Sequence, residues 1–140
     1  MRDGINSVHP VVALAPVVAT DNTALVTAII DRADYEALSF FTLLGTLADA
    51  DMTAAVLMEH GNASDLSDAA AVPDDMMVGT EALAGFTFAD DGEARKLGYI
   101  GPKRYVRLTI TPSANTGNLP IAVLALLGHP RSGPTPNPPQ

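Results

Sequence analysis

The segment RYVRLTIT, residues 104–111, alternates apolar and polar side chains along its length. Val106, Leu108 and Ile110 fall on one side of an extended chain, and the residues between them are Tyr, Arg or Thr. Successive side chains of a β-strand point to opposite faces, so a period of two is typical of a strand with one buried face. The segment therefore predicts a half-buried strand whose outer face is polar.

Further strands are predicted on both sides of this segment, each bounded by turn-forming residues. In TALVTAIID (23–31), Ala24, Val26, Ala28 and Ile30 form one apolar face that we expect to be buried. Other predicted strands are AGFTFAD (84–90), ARKLGYIG (94–101) and LPIAVLALLG (119–128). The last of these is apolar throughout, which is typical of a strand buried on both faces.

The part of the chain between residues 37 and 60 allows two interpretations. ALSFFTLLG (37–45) and MTAAVLMEH (52–60) are rich in Ala, Leu and Met, which favour helices. Both pieces are short, however, each ends at a glycine, and the acidic link between them has the composition of a turn. We therefore favour a hairpin of two paired strands over two helices.

Together these segments predict roughly eight or nine short strands and a single all-β domain, an antiparallel β-sandwich of jelly-roll type. We expect the sandwich to cover residues 21–129. Residues 1–20 are predicted to form an N-terminal arm and a first edge strand, because Pro10 and Pro16 cannot donate to a sheet ladder. Residues 130–140 contain five prolines and are predicted to form an extended Pro-rich tail along the surface.

Charge is segregated along the chain. All sixteen acidic residues lie at or before Glu93, whereas six of the eight basic residues follow it. Residues 1–93 therefore carry a net charge of −14, from two arginines and sixteen acids, and residues 94–140 carry +6. The simpler interpretation is that basic strands lie beside acidic strands of the same fold. The alternative is a basic face that docks on another subunit.

Five basic residues, predicted to lie on adjacent strands, are the candidate docking residues: Arg95, Lys96, Lys103, Arg104 and Arg107. The net charge of −8 opposes binding to a phosphate backbone, so nucleic acid is not an expected partner. A membrane is not expected either, because the apolar run near the C-terminus is far too short to span a bilayer.

The sequence contains no constellation typical of catalysis or metal binding. The chain has no cysteine, and its three histidines are scattered without a metal-ligand spacing. Acidic pairs such as Asp49/Asp51 and Asp90/Asp91 are too short and incomplete for a calcium loop, so we expect them to be solvated turns. We therefore expect a protein that is not an enzyme and that uses no metal or other cofactor.

Several segments together resemble a family of small virion proteins of tailed bacteriophages. The resemblance is carried by GYIGPKRYVRLTITP (98–112) and GNLPIAVLALLGHP (117–130), and it extends to DRADYEALSF (31–40), GTLADAD (45–51) and ALAGFTFADDGEARKLGYIG (82–101). It covers most of residues 25–130. The resemblance implies a β-sandwich or jelly-roll subunit of the capsid exterior or of the head–tail neck, and it does not imply an enzyme.

On this basis we expect a capsid decoration or cement subunit that binds the major capsid protein or neck proteins, associates with copies of itself and stabilises the outer shell. Its expected location is the outer surface of the virion head or neck, after synthesis in the host cytoplasm. The alternative is a neck, collar or tail-attached module with a glycan-binding role in host adsorption. In that case exposed aromatic side chains, with Tyr35, Tyr99 and Tyr105 as candidates, would serve as sugar platforms.

Overall fold

A computed structural model describes residues 3–139. The chain folds into two antiparallel β-sheets that pack face to face. The first two residues of the predicted arm and the last residue of the predicted tail lie outside the described residues. The strands are β1 (Val8–Ala19), β2 (Leu25–Val26), β3 (Ile30–Asp31), β4 (Tyr35–Leu44), β5 (Thr53–Gly61), β6 (Ala70–Ala71), β7 (Met77–Val78), β8 (Phe86–Thr87), β9 (Ala94–Tyr99), β10 (Tyr105–Ser113) and β11 (Leu119–Pro130). Between them lie one short helix, α1 (Glu81–Ala84), and the 3-10 turns Asp74–Met76 and Phe88–Asp90, while a third turn, Ile5–Ser7, precedes β1.

The strand order is that of a jelly roll. One sheet has the order β1-β11-β4-β9-β7, and the other has the order β2-β10-β5-β6, with β3 also paired to β10 and β8 to β5. We call them the five-stranded and the six-stranded sheet. The last two long strands, β10 and β11, each lie between strands from the first half of the chain, so both sheets close through long-range antiparallel pairs. The predicted all-β, jelly-roll-like sandwich is confirmed.

Alternate residues of the two sheets build the core. In β10, Val106, Leu108 and Ile110 are at most 1 % exposed, and the residues between them face outward, which confirms the predicted half-buried strand. The facing sheet contributes Phe40 and Leu97, which are buried to the same degree. The space between the sheets is thus filled by interdigitating side chains from both inner faces, as in other sandwiches.

The prediction of one continuous strand over residues 23–31 is wrong. The segment is split into β2 and β3, and three of the four residues on the predicted buried face are exposed. Thr27 points inward instead, and its hydroxyl accepts a hydrogen bond from the Leu108 N–H at 3.0 Å. The N–H of Ala28 then donates to the Ala13 carbonyl of β1 at 2.7 Å. The segment therefore turns a corner between the two sheets, which interrupts its period-two pattern.

Residues 37–60 form strands and not helices, as predicted, but the two strands are not a hairpin. β4 lies in the five-stranded sheet and β5 in the six-stranded sheet. The link between them crosses the sandwich, and the N–H groups of Gly45 and Ala48 anchor it by donating to the carbonyls of Pro120 and Asn118. A turn between paired strands and a crossing between sheets need the same turn-forming residues, so the composition of the link does not distinguish them.

Two other predicted strands also differ from the structure. β11 alternates buried and half-buried residues and is not buried on both faces, because only one of its faces meets the six-stranded sheet. The strand predicted over residues 84–90 is reduced to β8, and Phe88 then enters a 3-10 turn and is exposed. Asp90 caps this turn, because its carboxylate accepts the Thr87 N–H at 2.7 Å. The favourable cap outweighs the strand propensity of the aromatic residue.

Both ends of the described chain pack on the sandwich. β1 is the edge strand of the five-stranded sheet and pairs with β11 through two register shifts. The C-terminal segment folds back on the turn that precedes β1. There Thr135 is buried, its hydroxyl donates to the Val8 carbonyl at 2.6 Å and its N–H donates to the Asn6 carbonyl at 3.0 Å.

Leu108→Ala is expected to lower the free energy of unfolding by about 2–5 kcal/mol, because it leaves a cavity between the two sheets. Thr111→Ala is the control, since Thr111 lies on the same strand but is exposed, and it should cost less than about 1 kcal/mol. Urea denaturation followed by circular dichroism measures both variants. Equal losses would contradict the assignment of the inner face of β10.

Candidate docking surface

The outer face of the five-stranded sheet is apolar. Residues directly opposite one another on neighbouring strands point to the same side, so the register arranges side chains in rows across this face. The two central rows are Val12, Leu124, Phe41 and Lys96, and Pro10, Leu126, Ser39, Gly98 and Val78. The flanking rows are Val8, Gly128 and Ala37 on one side, and Ala122, Leu43 and Ala94 with Val18 and Pro120 on the other. We call this surface the apolar face.

Large aliphatic side chains of the apolar face are in contact with solvent. Val12 is 61 % exposed and Leu43 is 53 % exposed, although both lie within long strands. Within these rows Lys96 and Ser39 are the only polar side chains. A contiguous apolar surface on a folded protein that spans several strands is typical of a protein–protein interaction site.

A groove of about 750 Å³ runs along one side of the apolar face, between β4, β9 and β7. Phe41 and Lys96 line it, and the exposed side chains of Leu83 and Ile100 extend its apolar lining beyond the sheet. Gly98 helps to keep it open, because a Cβ at this position would lie 3.2 Å from the Cβ of Val78. The groove is therefore part of the apolar face, and it forms a depression into which side chains of a partner can fit.

The outer face of the six-stranded sheet is polar by comparison. Arg107 and Glu59 lie opposite each other on β10 and β5 and form an ion pair at 2.9 Å. Thr109 continues this polar surface along β10, with Val26 and Leu57 as its neighbours across the sheet. The two outer faces of the sandwich thus differ in character, and only one of them resembles an interface.

The five candidate basic residues do not form one patch. β9 belongs to the five-stranded sheet and β10 to the six-stranded sheet, so the prediction that these residues lie on adjacent strands is wrong. Lys96 lies on the apolar face, whereas Arg107 lies on the outer face of the other sheet, on the opposite side of the sandwich. The sequence could not reveal this separation, because the chain crosses between the sheets within the short turn at residues 100–104.

Three of the five basic residues form ion pairs within the chain. The pairs are Arg95 with Asp90 (2.7 Å), Arg104 with Asp31 (two contacts of 2.8 Å) and Arg107 with Glu59 (2.9 Å). The basic strands therefore lie beside acidic residues of the same fold, which is the simpler of the two interpretations of the charge segregation. Among residues 3–139, Lys96 and Lys103 make no direct ion pair. Of the five candidates, these two are the ones whose charges no acid of the described residues pairs with directly.

A histidine and a tyrosine form a buried polar contact between the sheets. The Tyr99 hydroxyl lies 2.8 Å from Nδ1 of His60 and accepts the Lys103 N–H at 3.0 Å. We assign Nδ1 as the acceptor of the hydroxyl proton, because the hydroxyl already accepts a bond from the backbone. Burial, reinforced by the charge of Lys103, lowers the pKa of His60, and burial raises the pKa of Tyr99. Both shifts favour the neutral pair, which ties β5 to β9.

Carboxylates of the acidic pairs accept hydrogen bonds that stabilise turns. The Asp49 carboxylate accepts bonds from the N–H and the hydroxyl of Thr116 at 2.6 and 2.7 Å. Asp90 caps the turn after β8 and pairs with Arg95. Among residues 3–139, no three His, Cys, Asp or Glu side chains come together in a way that could hold a metal ion. No helix in the same range is long and apolar enough to cross a membrane.

The three tyrosines considered as sugar platforms are engaged within the chain. Tyr99 is buried in the core. Tyr35 stacks on His9 with 5.7 Å between ring centroids. The guanidinium of Arg104 lies 5.1 Å from the centre of the Tyr105 ring. Tyr99 is thus closed to a sugar, and Tyr35 and Tyr105 each have a ring face in contact with a side chain of the same chain.

Comparisons with known proteins identify the fold. No family model and no curated protein matches the chain. Among solved structures, PBSX exported protein XepA matches with a TM-score of 0.50 and 12 % identity, over 85 % of this chain and 36 % of its own. Infectious bursal disease virus, Gx strain, matches with a TM-score of 0.52 and 12 % identity, over 87 % of this chain and 32 % of its own. The capsid of Ralstonia phage GP4 has a TM-score of 0.45 and 10 % identity, over 89 % and 83 % of the two chains.

These similarities show the fold alone, because so little of the sequence is shared. The chain spans about a third of the length of the XepA and bursal disease virus proteins that it matches. What those proteins share with it is therefore one sandwich domain, in agreement with the jelly-roll strand order. The fold hosts unrelated functions, so functional inference has to start from the surfaces of this chain.

The buried histidine predicts a pH-dependent stability. Below pH ~6.5 the unfolded chain binds a proton at His60 that the folded chain resists, so the free energy of unfolding should fall as the pH drops from that value through the lower folded pKa. His60→Asn retains a side-chain acceptor and does not titrate, so its stability should change less over the same range. Denaturation at a series of pH values measures both. Parallel pH profiles would contradict the assignment of a neutral His60.

Proposed function

We propose that the protein is a non-enzymatic structural subunit of a tailed-phage virion, and that it decorates the outside of the shell and stabilises it. The apolar face carries this proposal. A protein that works alone gains nothing from leaving several strands of aliphatic side chains in water, whereas an assembly subunit needs such a surface. The protein's activity, on this view, is to bind other protein subunits.

The arrangement of the remaining side chains supports the same proposal. The buried His60–Tyr99 pair lies between the sheets, and its hydrogen bonds are used to hold them together. The acidic side chains described above cap turns and pair with arginines. The groove on the apolar face is lined mainly by aliphatic and aromatic side chains.

The comparisons support a viral setting at the level of fold. A bursal disease virus VP2 subviral particle matches with a TM-score of 0.50 at 13 % identity, so a domain of this architecture occurs in a protein of a viral particle. The sequence resemblance to tailed-phage virion proteins points in the same direction. A subunit that binds only the assembled shell opposes disassembly by mass action, which is how a decoration protein would stabilise the particle.

The test is to measure the copy number of the chain in purified particles by quantitative mass spectrometry. Decoration of the shell predicts hundreds of copies per particle, whereas a neck or collar position predicts on the order of a dozen. Particles that lack the chain should also release their contents at a lower temperature, and adding back the purified protein should restore the original value. Absence of the chain from particles would overturn the proposal, and so would a purified monomer that turns over a substrate.

A further inference from the structure

We infer that the apolar face is covered by a second copy of this chain, so that the protein is a homodimer in which two five-stranded sheets pack face to face. The inference rests on the proposed function, which uses the apolar face as an interaction surface. It adds the identity of the molecule that binds there. Two observations, the charges of the face and its composition, favour a second copy over a different protein, and a third, its area, shows that the face is large enough for a dimer.

The first observation is the scarcity of acid on the apolar face, where Glu36 is the one acid among the residues that line the groove. The chain carries sixteen acidic residues and a net charge of −8, so two copies repel each other over most of their surfaces. The rows of the apolar face contain none of these acids, and their single charge is Lys96. Contact through these rows therefore brings two acidic chains together where few carboxylates oppose each other, the nearest being Glu36 in the groove. Lys96 lies on β9, toward one side of the face, and its long side chain can reach solvent at the rim.

The second observation is composition. Homodimer interfaces are more apolar than interfaces between different proteins, and their centres are depleted of charge. The central row of the apolar face places the aromatic ring of Phe41 beside Leu124 and Val12, and the next row places Leu126 beside Pro10. A surface that recognises a different protein usually uses complementary charges to select its partner and fix the register. The rows of this face offer one charge for that purpose, Lys96, and Glu36 and Arg95 lie only along the groove beside them.

The third observation is area. Each outward-facing residue of a sheet covers about 30 Å², since strands are about 4.8 Å apart and alternate residues of one strand about 6.6 Å apart. The rows named above hold seventeen such residues. The face therefore presents about 500 Å² in projection, and two such faces bury about 1,000 Å² before the side chains of the groove are added. This meets the minimum of about 1,000 Å² expected of a biological interface, and the exposed Leu83 and Ile100 beside the groove enlarge it.

A two-fold arrangement would also close the assembly. In an isologous contact the same patch is used on both copies, so the apolar face is consumed in the dimer and no further apolar surface of this kind is presented. The polar outer faces of the six-stranded sheets then point away from each other on the two outer sides of the dimer. They and the connecting loops remain free to contact the shell.

The chain offers two matched pairs of variants for the test. Leu43 and Leu57 lie on inner strands of the two sheets and are 53 % and 39 % exposed, while Val12 and Val26 lie on edge strands and are 61 % and 50 % exposed. Leu43→Glu and Val12→Glu place carboxylates on the apolar face. Leu57→Glu and Val26→Glu place them on the outer face of the six-stranded sheet, with the same chemical change. Thermal unfolding of each variant, followed by circular dichroism, checks that it remains folded.

Analytical ultracentrifugation of the full chain over a range of concentrations provides the readout. The unaltered protein should sediment with twice the 14.5 kDa mass of one chain. Leu43→Glu and Val12→Glu should each raise the dimer dissociation constant by about 100-fold or more, because each buries two like charges across a two-fold axis. Leu57→Glu and Val26→Glu should change it by less than about 3-fold. Val12 is exposed on an edge strand, so Val12→Glu should leave the chain folded. It therefore tests the interface even if Leu43→Glu unfolds.

The outcomes separate this inference from the proposed function. An unaltered protein that is monomeric at high concentration overturns the inference, and so does a dimer that dissociates equally in both sets of variants. If that monomer binds particles and Leu43→Glu abolishes the binding, a shell protein covers the apolar face and the proposed function stands. If the protein is a dimer through this face but is absent from particles, the inference stands and the proposed function fails.

Discussion

A sheet in a sandwich has two sides, and only one of them can pack against the other sheet. In the five-stranded sheet both sides are apolar at the centre. β11 places Ile121, Val123 and Ala125 in the core, and its alternate residues Leu124 and Leu126 on the opposite side. The six-stranded sheet solves the same problem differently, because β10 alternates apolar residues with Thr and Arg. This difference between two neighbouring strands of the sequence determines which surface of the molecule remains to be covered.

The sequence of β11 is more apolar than its burial in the single chain requires. The continuous apolar run at residues 119–128 is typical of a strand buried on both faces, yet in the single chain one face of β11 is only half-buried. Such a run suits a strand that is buried on both faces, and a single sandwich buries only one face of β11. A second molecule on the apolar face would supply it, so the discrepancy between pattern and structure supports the existence of a partner.

Other features could not be predicted, because they depend on which strands become neighbours. The alternation of Val106, Leu108 and Ile110 sufficed to place β10 and the core. In contrast, the link after β4 has the composition of a hairpin turn but crosses between sheets. The same kind of crossing at residues 100–104 separates basic residues that are close in sequence and pairs Arg104 with Asp31, on the strand β3. Periodicity reports the burial of a side chain and does not report its partner across the fold.

The distribution of charge over the sandwich affects where another copy of the chain can bind. The acidic half of the sequence supplies the partners of Arg95, Arg104 and Arg107, which leaves Lys96 and Lys103 without direct ion pairs in the part of the chain described. Exposed pairs of this kind contribute little to stability, and their main effect here is to neutralise the basic strands. The excess acid repels copies over most of the surface. An apolar face whose strand rows carry no acid is where that repulsion is weakest. Association directed to one surface in this way is what a subunit of an ordered assembly requires.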